Sequence, residues 1–394
     1  MFETSNTTLP VLDITLTSLA AMTSSNQAST IPLKLVASGD VEDLWSATAG
    51  LLEEWYVACT SEELKVGEPL PVRILDRGIA MFRRTDGLAA AVLDQCVHRG
   101  SRLSAGKVQD GCLTCPYHGW RYNSEGQVAH IPSVDGIEVP EKPHNFKQRC
   151  FTTIEQDGVV WVYLGDQDPK NRPVFNPPFY NRPDFVSYYM VGVYNGDVGS
   201  VAQNIMDVSH TVFVHDKIFR STAGKTLRST IEVKRRAVEV LYHDTEASVG
   251  LMPWLTNPHR APLLHTDKFF APNITQVDYH WGDASGIVFN SLITPIDAHS
   301  SRVYTCVSYK FPLPRWVLVA MRPFVRVYTW IVNQQDMKAM LERHRGLQNY
   351  GGFKQHSVKA DMAHVAIEKI LASLRDRREM PASALGSRPM EFEI

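Results

Sequence analysis

Two short stretches of the sequence hold residues whose types and spacing suit shared metal chemistry. Cys96-Val97-His98-Arg99-Gly100-Ser101 and Cys115-Pro116-Tyr117-His118-Gly119-Trp120 each offer one thiolate and one imidazole, with sixteen residues between His98 and Cys115. A [2Fe–2S] cluster can take such a set asymmetrically, two Cys on one iron and two His on the other. Neutral imidazoles in place of two thiolates leave the cluster less negative and easier to reduce. Gly100, Pro116 and Gly119 suit tight loops whose backbone N–H groups approach the cluster sulfides. Structural zinc on the same four residues is the alternative, since Cys112 and Cys115 form one C-x-x-C. Zinc loops usually come as paired C-x-x-C, and C-x-H is an awkward fit.

A second constellation lies about a hundred residues on, in Asn204-Ile205-Met206-Asp207-Val208-Ser209-His210-Thr211-Val212-Phe213-Val214-His215. Two histidines and a distant carboxylate make a facial triad, which holds Fe(II) and leaves positions open for oxygen. In a continuous helix His210 and His215 lie about 140° apart, so the helix must end or bulge between them. Asn204, Asp207 and His210 are three apart, so neighbours in that set adjoin on a helix surface. The third ligand must be Asp or Glu, with Asp336, Glu342, Asp361 and Glu368 as candidates. Asp336 is favoured over Asp361, because it follows an apolar run where a carboxylate is costly unless paired or metal-bound.

These sites need elements to hold them. The chain has 394 residues, 44% hydrophobic and 10% aromatic, which excludes disorder throughout. A net charge of −2 gives no electrostatic footprint for nucleic acid, and no hold on a membrane by charge alone. Of the six cysteines, Cys59, Cys150 and Cys306 read as core thiols and Cys112 as a packed strand residue. The apolar run Trp316–Val332 is broken by Arg322, Pro323 and Arg326, and reads as a buried or amphipathic helix rather than a span. The Ser/Thr-rich start lacks a basic n-region and transit-peptide arginines, so a cytoplasmic protein is expected.

Short strand-like runs at Leu70–Leu75, Ile79–Phe82 and Val159–Leu164, with turns at Asp76-Arg77-Gly78 and Thr85-Asp86-Gly87, predict a small antiparallel β domain. Pro169 to Pro183, with five prolines, reads as a linker. Strands resume at Tyr188–Tyr194, a helical patch covers Val201–Phe213, and strands return between Ser229 and Phe311. The clearest helix is Asp361–Arg377. The class is α+β. The expected organisation is a poorly ordered extension over 1–44, a metal-cluster domain over 45–170 and a catalytic domain over 171–394.

CVHRGS and CPYHGWRY resemble the Rieske domains of the Rieske non-heme iron oxygenases. Respiratory Rieske proteins carry an extra cysteine in each loop. Ser101 and Tyr117 stand in those places here, so that disulfide cannot form. The family pattern N-x-x-D-x-x-H-x-x-x-x-H matches at Asn204, Asp207, His210 and His215. The resemblance covers roughly Glu54 to Asp336. It implies a Rieske antiparallel β domain followed by a helix-grip catalytic domain. It further implies a cluster on Cys96, His98, Cys115 and His118, and Fe(II) on His210 and His215 with Asp336 as third ligand. Asp207 is then the carboxylate that bridges to a neighbouring subunit's cluster, and Asn204 lies near the iron.

The Gln-Gln-Asp step at Asp336 is similar to the monooxygenase and demethylase branch. The implied reaction is O2-dependent hydroxylation of a C–H bond in a small organic molecule, or oxidative O- or N-demethylation by the same chemistry. A pure electron-transfer protein is the competing class. No G-x-G-x-x-G follows a strand, so NAD(P)H must act through a separate reductase, with or without a ferredoxin. A homotrimer is expected. Candidate wall residues for the substrate pocket are Trp254, Phe269, Phe270, Tyr279, Trp281 and Phe289.

Overall fold

A computed structural model describes residues 49–134, 146–216, 218, 226–243, 256–350 and 354–393. The extension expected over 1–44 lies outside them. The first part of the chain forms two antiparallel sheets. Strands β1 (Trp55–Thr60), β2 (Leu70–Ile74), β3 (Arg77–Arg83) and β4 (Ala89–Leu93) come first. The short strands β5 (Lys107–Gln109), β6 (Cys112–Thr114), β7 (Arg121–Tyr122) and β8 (Val128–His130) follow, then β9 (Cys150–Gln156) and β10 (Val159–Tyr163). The larger sheet runs β1-β10-β9-β4-β3-β2, and β5 to β8 form a four-stranded meander beside it. Strand β10, VVWVY, is buried at every position, as its unbroken apolar run requires.

The β2–β3 turn falls one residue earlier than the sequence suggests. Leu75 and Asp76 make it, at φ +49° and +62°, and Arg77 already belongs to β3. Left-handed backbone at two non-glycine residues is unfavourable. Their amides are held from outside: Leu75 N donates to Pro295 O and Asp76 N to Ile296 O, both at 2.9 Å.

The second part is built on one eight-stranded antiparallel sheet. Its strands are β11 (Val186–Tyr194), β12 (Thr226–Lys234), β13 (Ala237–Tyr242), β14 (Leu263–Phe270), β15 (Ile274–Trp281), β16 (Ser285–Pro295), β17 (Ser301–Lys310) and β18 (Gly386–Glu393), in the order β11-β17-β16-β15-β14-β13-β12-β18. Helices α1 (Val198–Met206), α2 (Thr211–Val214), α3 (Arg315–Tyr350) and α4 (Met362–Arg375) accompany it. The α+β class is confirmed.

Both faces of the central strands are covered. On one face Val201, Met206, Phe269, Ile293 and Ile367 share a core with α1 and α4. On the other, Ile274, Leu292 and Tyr304 pack against Trp55, Val57 and Trp161 of the first part. Thr294 Oγ1 donates to Val57 O and Tyr304 Oη to Ala58 O, each at 2.7 Å. The proline-rich stretch is tied down at the same place, where Trp55 Nε1 donates to Arg172 O at 2.8 Å and Val174 and Phe175 join the cluster.

One helix expectation changes, and another narrows to one of its two alternatives. The patch at Val201–Phe213 is not one helix: α1 ends at Met206, and α2 begins only after His210. The run Trp316–Val332 is the first half of a 36-residue helix, amphipathic rather than buried, with Leu318 and Thr329 inside and Trp316, Phe324 and Trp330 exposed. No helix among the described residues is long and apolar enough to cross a membrane.

Candidate metal centres

The loop after β4 carries Cys96 and His98, and the loop from β6 to β7 carries Cys115 and His118. Their backbones repeat one another. Cys96 N donates to Ser101 O (2.8 Å) and Gly100 N to Cys96 O (2.9 Å); Cys115 N donates to Trp120 O (2.8 Å) and Gly119 N to Cys115 O (3.0 Å). Gly100 and Gly119 both have φ +72°. Each loop therefore turns through a left-handed residue four places after its cysteine, a position that favours glycine. At Gly119 a Cβ would also stand 3.0 Å from Pro132 Cγ.

The thiols and imidazoles are placed differently. Cys96 and Cys115 are buried, whereas His98 and His118 are exposed at the loop tips. The two imidazole rings lie edge to face, 4.5 Å between centroids, and His98 stacks flat on Trp120 at 4.6 Å. Tyr122 Oη lies 3.1 Å from Cys96 Sγ and accepts from Val97 N at 3.1 Å. Burial pushes the Cys115 thiol up, the Tyr117 and His118 amides oppose that, and the neighbouring Cys96 adds to it. Two buried sulfurs with backbone N–H groups beside them, next to two converging imidazoles, fit a cluster that takes two thiolates inside and two imidazoles outside. Cys112 is on β6 opposite Gln109, outside the loop, and Cys59 and Cys306 are buried thiols pushed up to about 12 by desolvation. Cys150 is half-buried.

The second centre is assembled across the sequence. His210 is the N-cap of α2 and His215 its C-cap, so one helical turn separates them. The chain breaks before His210, not between the histidines as the sequence leads one to expect, and His210 to His215 form one helical turn. Asp336 arrives from the middle of α3. His210 Nε2 is 3.3 Å from His215 Nε2 and 3.2 Å from Asp336 Oδ1, and His215 Nε2 is 3.3 Å from the same oxygen. At a metal–ligand bond of about 2.1 Å, cis ligands are about 3 Å apart, so this triangle suits one face of an octahedron. Among the described residues this is the one group of three or more such side chains whose ligand atoms lie within 4.8 Å of one another. Two nitrogens and one carboxylate oxygen fit non-heme iron and leave the opposite face open.

Neighbouring side chains orient the three. His215 Nδ1 donates to Gln335 Oε1 at 3.0 Å, which turns its Nε2 lone pair toward Asp336. Asn204 Nδ2 donates to Asp336 Oδ1 at 3.1 Å. Burial raises the Asp336 carboxyl, but the two imidazoles outweigh it and hold the group down at about 2. Burial lowers His210 and is outweighed by Asp336 and Asp207. Asp207 caps the end of α1. One of its oxygens accepts from Ser209 N at 2.8 Å, and the other is 3.8 Å from His210 Nδ1, which is buried with no hydrogen-bond partner among the described residues.

The rival carboxylates lie elsewhere. Asp361 accepts from Val358 N and lies 3.3 Å from His364 Nδ1, Glu368 accepts from Gln203, and Glu342 pairs with Arg345.

A cavity of about 120 Å³ opens at the triad. Met190, Ile205, Val277, Tyr279, Phe289 and Val332 give it an apolar wall, and Ser291 and Thr305, 3.2 Å apart on paired strands, a polar one. Of the expected wall residues only Tyr279 and Phe289 line it. Phe269, Phe270 and Trp281 pack in core clusters, and Trp254 lies outside the described residues. The sequence offered Gln335 only as part of the Gln-Gln-Asp step, without its bond to His215, and gave no notice of Met190, Ser291 and Thr305, whose alternation on strands was the available signal.

Residues 54–141 match the Rieske [2Fe-2S] domain family, and residues 194–377 the vanillate O-demethylase oxygenase C-terminal domain family. The chain belongs to the Rieske non-heme iron oxygenases. It is 38% identical over 191 residues to the oxygenase component of dicamba O-demethylase from Stenotrophomonas maltophilia, covering 48% of this chain and 54% of that one. Over 174 residues it is 31% identical to aminopyrrolnitrin oxygenase from Pseudomonas fluorescens, covering 43% and 48%. The chain thus spans about half the length of these relatives. A crystal structure of dicamba monooxygenase bound to dicamba has the same fold, with a TM-score of 0.68 at 22% identity over 83% of this chain and 98% of that one.

Proposed function

We propose that this chain is the oxygenase component of a Rieske monooxygenase that hydroxylates a C–H bond of a small organic molecule. The observation that carries the reading is the triangle of His210 Nε2, His215 Nε2 and Asp336 Oδ1, with edges of 3.2–3.3 Å, at the wall of an apolar cavity. The domains are 45–170 for the cluster and 171–394 for catalysis, after an extension over 1–44.

When bound, a [2Fe–2S] cluster on Cys96, His98, Cys115 and His118 supplies single electrons, and iron on His210, His215 and Asp336 supplies oxygen activation. Gln335 fixes the tautomer of His215, and Asn204 fixes the ligating oxygen of Asp336. Met190, Val277 and Phe289 exclude water around the reacting C–H bond. Ser291 and Thr305 orient the substrate by its oxygen or nitrogen. Asp207, part-exposed beside His210, joins that imidazole to an exposed cluster histidine of a neighbouring subunit, which makes the working unit a closed homotrimer. Electrons come from NAD(P)H through a separate reductase, directly or by way of a ferredoxin, in the cytoplasm.

O- or N-demethylation is the second reading, favoured by the vanillate O-demethylase domain and the dicamba O-demethylase relative. There the hydroxylated methyl group leaves as formaldehyde. Both readings are tested by incubating the metal-loaded protein with a reductase, O2 and a panel of aryl methyl ethers, N-methyl amines and alkyl arenes. Three irons per chain and O2-dependent product are expected, with formaldehyde from the methyl ethers or amines if the second reading holds. Two irons per chain and no O2 uptake would leave an electron carrier instead.

A further inference from the structure

The first half of α3 has two working faces. Its inner side carries Tyr328, Thr329, Val332, Asn333 and Asp336 to the cavity. Its outer side is apolar and open. At about 100° per residue, Trp316, Val319, Phe324, Val327, Trp330 and Ile331 fall within about 140° of one another. All six are exposed, Trp316 at 74%, Phe324 at 75% and Trp330 at 55%. The stripe extends over about 22 Å. Isolated exposed apolar residues are ordinary, but a continuous stripe with a tryptophan at each end marks a surface that meets something.

Charge on this helix narrows the choice. Arg315, Arg322 and Arg326 fall within about 40° of one another and line one edge of the stripe. No Asp or Glu occurs between Asp297 and Asp336. None of the three arginines makes an ion pair among the described residues. Arg315 donates to the carbonyls of Pro183 and Phe185, and Arg326 lies over the Tyr188 ring. Pairing of the stripe with the same stripe of a second copy would set arginine against arginine with no acid to answer it. A polar, acidic protein face would answer the arginines but not cover six apolar side chains. The surface that matches both is apolar within and anionic at its boundary.

We propose that the outer face of α3 docks on an anionic lipid surface. The apolar stripe lies below the headgroups, the tryptophans sit at their level, and the arginine row pairs with lipid phosphates and carboxylates. The docking stands on the exposed stripe and the arginine row, independently of the oxygenase reading.

The test uses the full chain with vesicles of phosphatidylcholine containing one-third phosphatidylserine, against pure phosphatidylcholine. The anionic vesicles should take up the protein about a hundredfold better, and raised salt should remove the difference. Brominated lipid should quench tryptophan fluorescence. Arg322→Gln with Arg326→Gln should lower partitioning about 25-fold, at about fivefold for each basic residue. Trp316→Ser with Trp330→Ser should lower it at least about tenfold on both kinds of vesicle. Molecular mass in solution should be the same for wild type and variants. No uptake by the wild type overturns the proposal, and so does uptake indifferent to lipid charge. A change of mass in the tryptophan variant also overturns it, because a second copy then covers the stripe. Should the tryptophan variant fail to fold, the arginine variant and wild-type quenching still decide.

Discussion

The two candidate metal centres are built by opposite means. Cys96, His98, Cys115 and His118 come from two loops with the same hydrogen-bond pattern and the same glycine conformation, one following β4 of the larger sheet and one inside the small meander. The His210–His215–Asp336 centre takes two ligands from the ends of a single helical turn, and a third from α3, 132 residues after the Asn204 that touches it. The first is a local structure that the core behind it supports. The second exists only while α2, α3 and the sheet are packed together. The first exposes its imidazoles and hides its sulfurs, as suits a centre that exchanges electrons with partners. The second keeps its ligands inside, against a cavity. Local loops can make a site robust and outward-facing, whereas assembly across the fold makes one that is enclosed and sensitive to packing.

The sharpest way to break this contrast is to delete one ligand from each centre. Asp336→Ala should abolish product and drop the iron count from three to two per chain, while the visible Rieske spectrum stays. Cys96→Ala should do the reverse to the spectrum. Mixed oligomers of these two inactive chains should regain part of the activity if electrons cross between subunits. Mixed oligomers that form and stay inactive would remove the intersubunit role of Asp207.

Asp207→Asn comes next. Both metal contents and the spectrum should persist while turnover falls about 10- to 100-fold, since an amide has one acceptor oxygen where the carboxylate has two. Gln335→Leu frees the His215 ring and should weaken iron binding about tenfold, measured by chelator competition, without touching the cluster. The smallest effect tests the local character of the loops. Gly119→Ala puts a Cβ at φ +72° and 3.0 Å from Pro132 Cγ, and should cost about 1–2 kcal/mol, read as a lower melting temperature with the iron triad still loaded.

The same contrast explains what the sequence discloses. The Rieske loops are legible because spacing along the chain is nearly their whole geometry. His210 and His215 were legible as a pair, but their helix was not. An apolar patch with helical spacing gave no sign that Asp207 ends one helix and His210 starts another. Asp336 stood among four carboxylates until packing placed Asp361, Glu342 and Glu368 with other partners. The strands were found readily from β-branched and aromatic runs. The cavity wall was not. Aromatic residues such as Phe269 and Trp281 serve the core equally well, and which side of a strand faces the His210–His215–Asp336 triad is fixed by register between strands far apart in sequence.

The surface between the two sheets has a consequence for folding. Trp55, Val57 and Trp161 on one side meet Ile274, Leu292 and Tyr304 on the other, and the left-handed Leu75–Asp76 turn finds acceptors for its amides only on Pro295 and Ile296. Each part therefore completes the other's core. Severed from its neighbour, the cluster-bearing part would show water a sheet face rich in tryptophan and valine, and its strained turn would lose both carbonyls that hold it. Residues 49–393 should melt in a single calorimetric transition, with the van't Hoff and calorimetric enthalpies equal.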